Sequence, residues 1–380
     1  MKRKMFMQTP GIRARFRPNG TRATAVGSAF LCASLISLAA MAQQATPVSP
    51  MDVDPARAEL GKRLFYDTRL SGNTLLSCAS CHQPDKAFTD GQALSDAYAD
   101  LGHFRNTPTL ANVGYRDAWL HDGRLGTNLN DVARGMITES YLMNMDMRLM
   151  QERLKQDPVY VEMFEQAGMG EPSNGGARNA LQAFMKTIIS RGAPIDTGNL
   201  SPAAKRGKLL FEGKANCVAC HSGSRFTDDK PHNTGVPDNP EIWAEPERHA
   251  AFLTYAKFMG IEDYMNLRED LGAYVRTHRK KDRRKFLTPT LRELTHTSPY
   301  MHNGVFKTLE EVVEFYDQGG GDDPLKAPQL EPLGLGDQEK ADLVAFLKAL
   351  SGQSFDTDMY VWRKDDYGYS VIENWRETTN

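Results

Sequence analysis

Two short runs carry the clearest chemistry in this 380-residue chain: Cys78-Ala79-Ser80-Cys81-His82 and Cys217-Val218-Ala219-Cys220-His221. Two thiols separated by two residues can bond across the two vinyl groups of a haem, and the adjacent histidine can ligate the iron. A zinc site made of two such pairs expects them about 15–20 residues apart, whereas these stand 139 apart. A redox dithiol does not require a following histidine, and here one follows both times. The runs therefore predict two covalent haem c groups, one held by Cys78, Cys81 and His82, the other by Cys217, Cys220 and His221.

The amino terminus predicts the matching compartment. Seven basic residues, from Lys2 to Arg22, precede an apolar stretch from Ala25 to Ala40 that closes in Ala40-Met41-Ala42, the pattern of an export signal cut after Ala42. Cys32 leaves with that segment, and the four remaining cysteines are all used by haem, so no structural disulfide is expected. The apolar run is short and ends in small residues, which argues against stable membrane insertion after cleavage. The net charge of −2 supplies no electrostatic reason for a nucleic-acid partner or an anionic membrane.

The elements that must position the two motifs come as a duplication. Gly61-x-x-Leu64-Phe65 precedes the first motif and Gly207-x-x-Leu210-Phe211 the second; Phe88-Thr89-Asp90 and Phe226-Thr227-Asp228 follow them. Thr107-Pro108-Thr109-Leu110 recurs as Thr288-Pro289-Thr290-Leu291, and Trp119-Leu120-His121-Asp122-Gly123 as Tyr300-Met301-His302-Asn303-Gly304, both at an offset of 181. The expected fold is mainly α: two homologous c-type cytochrome domains, each around one haem, with long loops. We place a signal peptide at 1–42, an N-terminal haem domain at 43–195, a C-terminal haem domain at 196–355, and an aromatic tail at 356–380 that packs back on the body. Helices are expected over Ala180 to Ile189, from near Thr308, and from a cap at Asp337 to before Gly352. The second copy carries 42 extra residues between its haem motif and its Thr-Pro block, read as a loop with a short helix.

With these motifs, and most specifically with Thr288 to Asp317, the chain resembles the bacterial di-haem cytochrome c peroxidase superfamily and, within it, the MauG-like branch. The branch assignment rests on Tyr316, at the place where conventional members carry a methionine that ligates the second haem iron. An anionic phenolate favours more oxidised iron and lowers its potential, where a thioether raises it. By the repeat, Met136 corresponds to Tyr316 in the first half. The resemblance implies that His82 holds the first iron, left five-coordinate or loosely closed by His103, and that His221 and Tyr316 hold the second.

It further implies hydrogen peroxide as oxidant and a high-valent di-haem state that draws electrons from a partner protein's residue. The alternatives are a small cytochrome or cupredoxin as donor, in a conventional peroxide scavenger, or a plain electron carrier with no peroxidase role. Glu139 is the candidate acid/base, although a gapless alignment puts Leu142 at the family's glutamate. His121 stands where MauG-like proteins have a tryptophan between the haems, with Trp119 two positions earlier, and Ala215 replaces a second tryptophan; Trp362 or Trp375 could offer another route. Asn106, with the backbone carbonyls of Thr297 and Pro299, matches a calcium site between the domains. The expected location is the periplasm.

Overall fold

In the computed structural model, residues 48–98, 101–126, 128–352, 355, 360–364 and 370–374 are described. The predicted signal segment and most of the aromatic tail lie outside them. The first half contains helices α1 (Pro55–Phe65), α2 (Leu129–Thr138), α3 (Met147–Lys155), α4 (Pro158–Gln166) and α5 (Asn174–Thr187). The second contains α6 (Pro202–Glu212), α7 (Pro246–Phe258), α8 (Leu309–Asp317) and α9 (Asp337–Lys348). Strand content is small: β1 (Pro231–His232) pairs antiparallel with β2 (Phe286–Leu287), and β3 (Tyr360–Lys364) with β4 (Ser370–Asn374). Two mainly helical cytochrome c domains are thus present, as the duplication requires.

The repeat is visible at atomic detail in how each half closes. Gly61 of α1 crosses α5 so closely that a Cβ would lie 1.9 Å from the Ala180 carbonyl oxygen; Gly207 of α6 crosses α9 with its virtual Cβ 1.9 Å from the Asp342 oxygen. Both glycines are there because backbone must approach backbone. One turn later Phe65 meets Phe184 with centroids 5.1 Å apart at 61°, and Phe211 meets Phe346 at the same 5.1 Å and 61°. Each helix pair backs its own apolar core, the first built around Leu60, Leu64, Phe65 and Phe184, the second around Phe211, Phe346 and Leu350. The loops repeat too: Asn112 and Glu293, Leu120 and Met301, and Gly123 and Gly304 all take positive φ at the offset of 181.

Helix ends follow their local chemistry. Thr308 caps α8 by accepting from the Glu311 N–H at 3.1 Å, while the Glu311 carboxylate accepts from the Thr308 N–H at 3.0 Å, a reciprocal capping box. Asp337 is the first residue of α9 and not its cap: Glu339 accepts from the Gly336 N–H at 2.9 Å. Helix α5 begins at Asn174, earlier than expected, because the Ser173 hydroxyl accepts from the Gly176 N–H. Of the tail, Phe355, the last residue before the tail, packs edge-on against Phe88, 5.4 Å between centroids.

The second-half insertion is more than a loop. It forms the 13-residue α7 and, with Ile242, Phe252, Tyr255, Leu271 and Val275, builds a third core against Leu94, Phe104 and Tyr141 of the first half. The short-helix expectation failed because the surface that makes α7 worth forming is supplied by residues far away in the chain.

Candidate haem sites

At each Cys-x-x-Cys-His the histidine is oriented by a backbone carbonyl. His82 Nδ1 lies 2.8 Å from the Phe88 oxygen, and His221 Nδ1 lies 2.9 Å from the Phe226 oxygen. A carbonyl only accepts, so both Nδ1 atoms carry the proton and both Nε2 atoms keep a lone pair for a metal. Phe88 and Phe226 both have left-handed φ, 61° and 53°, which turns each carbonyl back onto its ring. Burial lowers the pKa of both imidazoles, keeping them neutral as ligation requires.

None of the four cysteines is in a disulfide. Burial pushes Cys78, Cys81 and Cys217 up to about 12, which disfavours the thiolate that zinc ligation requires. Cys220, Asp228 and His232 lie within 4.8 Å of one another. Once Cys220 is bonded to haem only an Asp228–His232 pair remains, already closed at 2.9 Å.

The first motif opens on a cavity enclosing about 1360 Å³ of protein-free space, its mouth included, lined by His82, Cys78 and Cys81, and by His103, Trp119, His121, Arg105, Arg124, Met136 and Leu142 among others. The two thiols and the imidazole that would hold a haem stand together on its wall. Five sequence-predicted positions, His103, Trp119, His121, Asn106 and Met136, meet there. Glu139 does not line it: the residue ends α2, half-buried, its carboxyl pKa raised by burial and opposed by the Arg124 guanidinium. Leu142 is on the wall instead.

His103 is held quite differently from His82. The Arg105 N–H lies 3.1 Å from His103 Nδ1 and has no other acceptor among the described residues, while the Arg105 carbonyl oxygen, 3.3 Å from the same nitrogen, also accepts from the Ser95 N–H at 3.2 Å. A buried amide needs an acceptor, so Nδ1 is the accepting nitrogen and the proton sits on Nε2. The ring stacks on Phe104, 4.5 Å between centroids, and its main-chain oxygen accepts from Arg248 of the insertion at 2.7 Å. Trp119 Nε1 donates to the Val113 oxygen at 3.2 Å. His121 Nε2 donates to the Asn106 oxygen at 2.9 Å, and its ring stands 6.4 Å from His302, its counterpart in the repeat.

Behind this wall lies a buried ionic network that sequence reading missed. Arg105, 3% exposed, makes a fork to Asp270 of the insertion at 2.6 and 2.8 Å and donates to Asp122 at 2.5 Å; Tyr255 of α7 donates to Asp122 at 2.6 Å, and Arg124 at 2.9 Å. The arginines hold the Asp122 carboxyl well below the carboxylate range against the opposing effect of burial. The Asp-Gly-Arg triplet was the only local signal; Arg105 and Asp270 are 165 residues apart.

In the second half, Tyr316 on α8 lies near Cys217, Cys220 and Thr234, and burial pushes its phenol up to about 12. For the calcium positions, the Asn106 N–H donates to the His302 oxygen at 2.9 Å, and Asn106 Nδ2 donates to the Gln92 oxygen at 2.6 Å. The first of these brings Asn106 to the loop that follows Pro299. Ala215 is buried in the second core; Trp375 lies outside the described residues, as does the side chain of Trp362.

Comparison with known proteins agrees with this geometry. The family model described as di-haem cytochrome c peroxidase matches residues 55–200, and that of cytochrome c matches 204–351. The cytochrome-c peroxidase IdrP2 of Denitromonas iodatirespirans is 44% identical over 339 residues, covering 87% of this chain and 91% of that protein. The methylamine utilization protein MauG of Methylorubrum extorquens is 36% identical, covering 79% of each. A crystal structure of a MauG-like protein associated with microbial copper homeostasis superposes with a TM-score of 0.68 at 29% identity, covering 81% of this chain and 93% of that one. With its two haem-binding motifs in duplicated helical halves, the chain belongs to the di-haem cytochrome c peroxidase family, and it is an enzyme of that kind.

Proposed function

We propose that the protein reduces hydrogen peroxide at the His82 site with electrons that a small redox protein delivers, in the balance H2O2 + 2 e− + 2 H+ → 2 H2O. The observation that carries this is the unlike fixing of two histidines on one cavity: His82 presents a free Nε2 lone pair, while His103 presents Nε2–H. Haem, when bound, supplies the iron that takes up peroxide and stores its oxidising equivalents. The chain's own part is to orient that iron and manage protons. His103, whose Nδ1 is taken by a backbone amide, cannot offer a neutral nitrogen lone pair to iron without breaking that bond. It serves as a hydrogen-bond donor to an oxygen in the cavity, and Arg124 adds positive charge to the same wall. This gives His103, a neutral ring, a hydrogen-bond-donor role toward that oxygen and leaves Glu139 off the cavity wall.

In this reading Tyr316 would close the second haem opposite His221; burial keeps the phenol neutral, and the Thr234 contact works in the opposite direction, toward the phenolate that would bind a ferric iron. Asn106 with the Thr297 and Pro299 carbonyls holds calcium, an ion suited to oxygen donors. The domains divide near residue 195, and the enzyme works in the periplasm after export; among the described residues no helix is long and apolar enough to cross a membrane. Tyr316 also favours a second reading, in which a residue of a partner protein is oxidised. His121 and Ala215, where MauG-like proteins carry tryptophans, weigh against it.

Low-temperature electron paramagnetic resonance of the fully ferric, haem-loaded protein tests the proposal. One high-spin and one low-spin signal are expected, both altered by one equivalent of peroxide without prior reduction. His103→Ala should leave the spin states as they are while slowing the peroxide reaction at least tenfold, and Tyr316→Met should raise the potential of the low-spin haem. Two low-spin signals in the wild type, one turned high-spin by His103→Ala, would make His103 an iron ligand and overturn the assignment.

A further inference from the structure

The segment Arg276–Lys285 holds seven lysines and arginines and one acid, Asp282. It is an island. The seven basic residues that open the chain have no acidic counterpart before Asp52, so residues 48–380 carry a net −9, and outside this loop they carry −15. A charge run is ordinarily a solvated face, and part of this one is structural: Arg283 pairs with Glu269, Arg284 reaches Asp238 at 3.0 Å and Asp323 at 3.1 Å, and Arg279 and Lys285 share Asp282 at 2.7 and 3.2 Å. Arg276, Lys280 and Lys281 are exposed and have no ion pair among the described residues. They contribute nothing visible to the fold.

The loop is pinned at its ends. The Ala273 N–H donates to the Lys285 oxygen at 2.8 Å, Gly272 bridges to Lys285 with φ +53°, and Val275 is buried. Its cations are therefore presented on a fixed scaffold. That scaffold leads inward at once: Phe286, next in the chain, stacks on His302 with 3.6 Å between centroids at 14°, and the Leu287 N–H donates to the His121 oxygen at 2.8 Å. His121 lines the first haem cavity. Lys285, the last residue of the loop, stands two residues and one hydrogen bond from that wall.

We propose that the exposed face of Arg276, Arg279, Lys280 and Lys281 is the docking surface for an acidic electron-transfer protein, the donor in the peroxidase reading on which this inference rests. A local positive face on an otherwise strongly acidic body orients an acidic partner and turns a basic one away.

The probes are one redox protein in two charge states: a lysine-rich cytochrome c and its succinylated, acidic form. Binding to the resting ferric, haem-loaded full chain is measured first, since it does not depend on peroxide chemistry; oxidation of each reduced probe after peroxide is measured second. The succinylated form should bind and react about tenfold or more faster at low salt, with the advantage shrinking as salt shortens the Debye length from ~10 Å at 0.1 M to ~3 Å at 1 M. Arg276→Glu combined with Lys280→Glu and Lys281→Glu should reverse the preference and leave the rate of reaction with peroxide unchanged. An unchanged preference in the triple variant overturns the proposal. So does a variant whose only loss is sedimentation with phosphatidylglycerol vesicles, which would make the loop a lipid contact. Normal probe binding with no response to peroxide would count against the peroxidase reading and leave the docking surface standing.

Discussion

Replacing Gly207 by alanine sets two calculable effects against each other. In a helix interior alanine is favoured over glycine by about 0.5–1 kcal/mol, so propensity predicts stabilisation. The new methyl, however, would stand 1.9 Å from the Asp342 oxygen and 2.8 Å from Phe346 Cβ, where ordinary contact begins near 3.4 Å. The obstacle is main chain, so α6 and α9 must part by up to about 1.5 Å. Opening a packed face by ~0.5–1 Å already forfeits a quarter to a half of its dispersion attraction, and overpacked cores lose about 1–3 kcal/mol. Packing wins: the net expectation is destabilisation of about 1 kcal/mol. Guanidinium unfolding of the haem-loaded protein, followed by the Soret band, measures it. Gly175→Ala in α5 is the control, since its methyl meets nothing within 4 Å and should stabilise by about 0.5 kcal/mol. A Gly207→Ala midpoint at or above wild type would refute the argument. Gly61→Ala, in the same relation to Ala180, should match Gly207→Ala.

Asp270→Ala leaves Arg105 buried with half its partners gone, and removing one member of such a pair costs about 3–5 kcal/mol; thermal unfolding reads it, and a loss below 1 kcal/mol would mean that water replaces the carboxylate. His121 and His302 are buried as neutral rings, lowered to about 4 and about 3. Their folded pKa values lie below the unfolded ~6.5, so the unfolded chain binds protons first as pH falls. Stability from these rings is full above pH 6.5 and declines below it, by about 2 kcal/mol per ring at pH 5. Denaturant midpoints at pH 8 and pH 5 should show the fall, and His302→Gln should reduce it; equal slopes in both proteins would remove His302 from the account.

The parts of this protein readable in its sequence are those repeated within it or fixed by near neighbours. Cys-x-x-Cys-His is a covalent pattern, Gly61 and Gly207 mark close helix crossings, and the Thr308–Glu311 capping box spans one turn. The Asp337 cap was misplaced by one residue because Glu339 reaches back to the Gly336 amide, doing from inside the helix what a cap does from outside. The larger omission has a different cause. Nothing near Pro246–Phe258 reveals that Phe252 and Tyr255 face Phe104 and Tyr141, because those partners belong to the other half. The hydrogen bond that sets the His103 proton is equally invisible, since it depends on where one backbone amide points. A histidine in a sequence has no tautomer.

The insertion has a consequence for how the protein is made. The first haem motif is complete by residue 82, but the α7 helix and Asp270, which back the wall of its pocket, arrive about 170 to 190 residues later in the chain. In amino-to-carboxyl order the first Cys-x-x-Cys-His therefore precedes the elements that complete the wall of its site. The second half then seals it from behind. The insertion thus ties the completion of the first site to the second half: Phe252, Tyr255 and Asp270 must be in place before Phe104 and Arg105 have their partners.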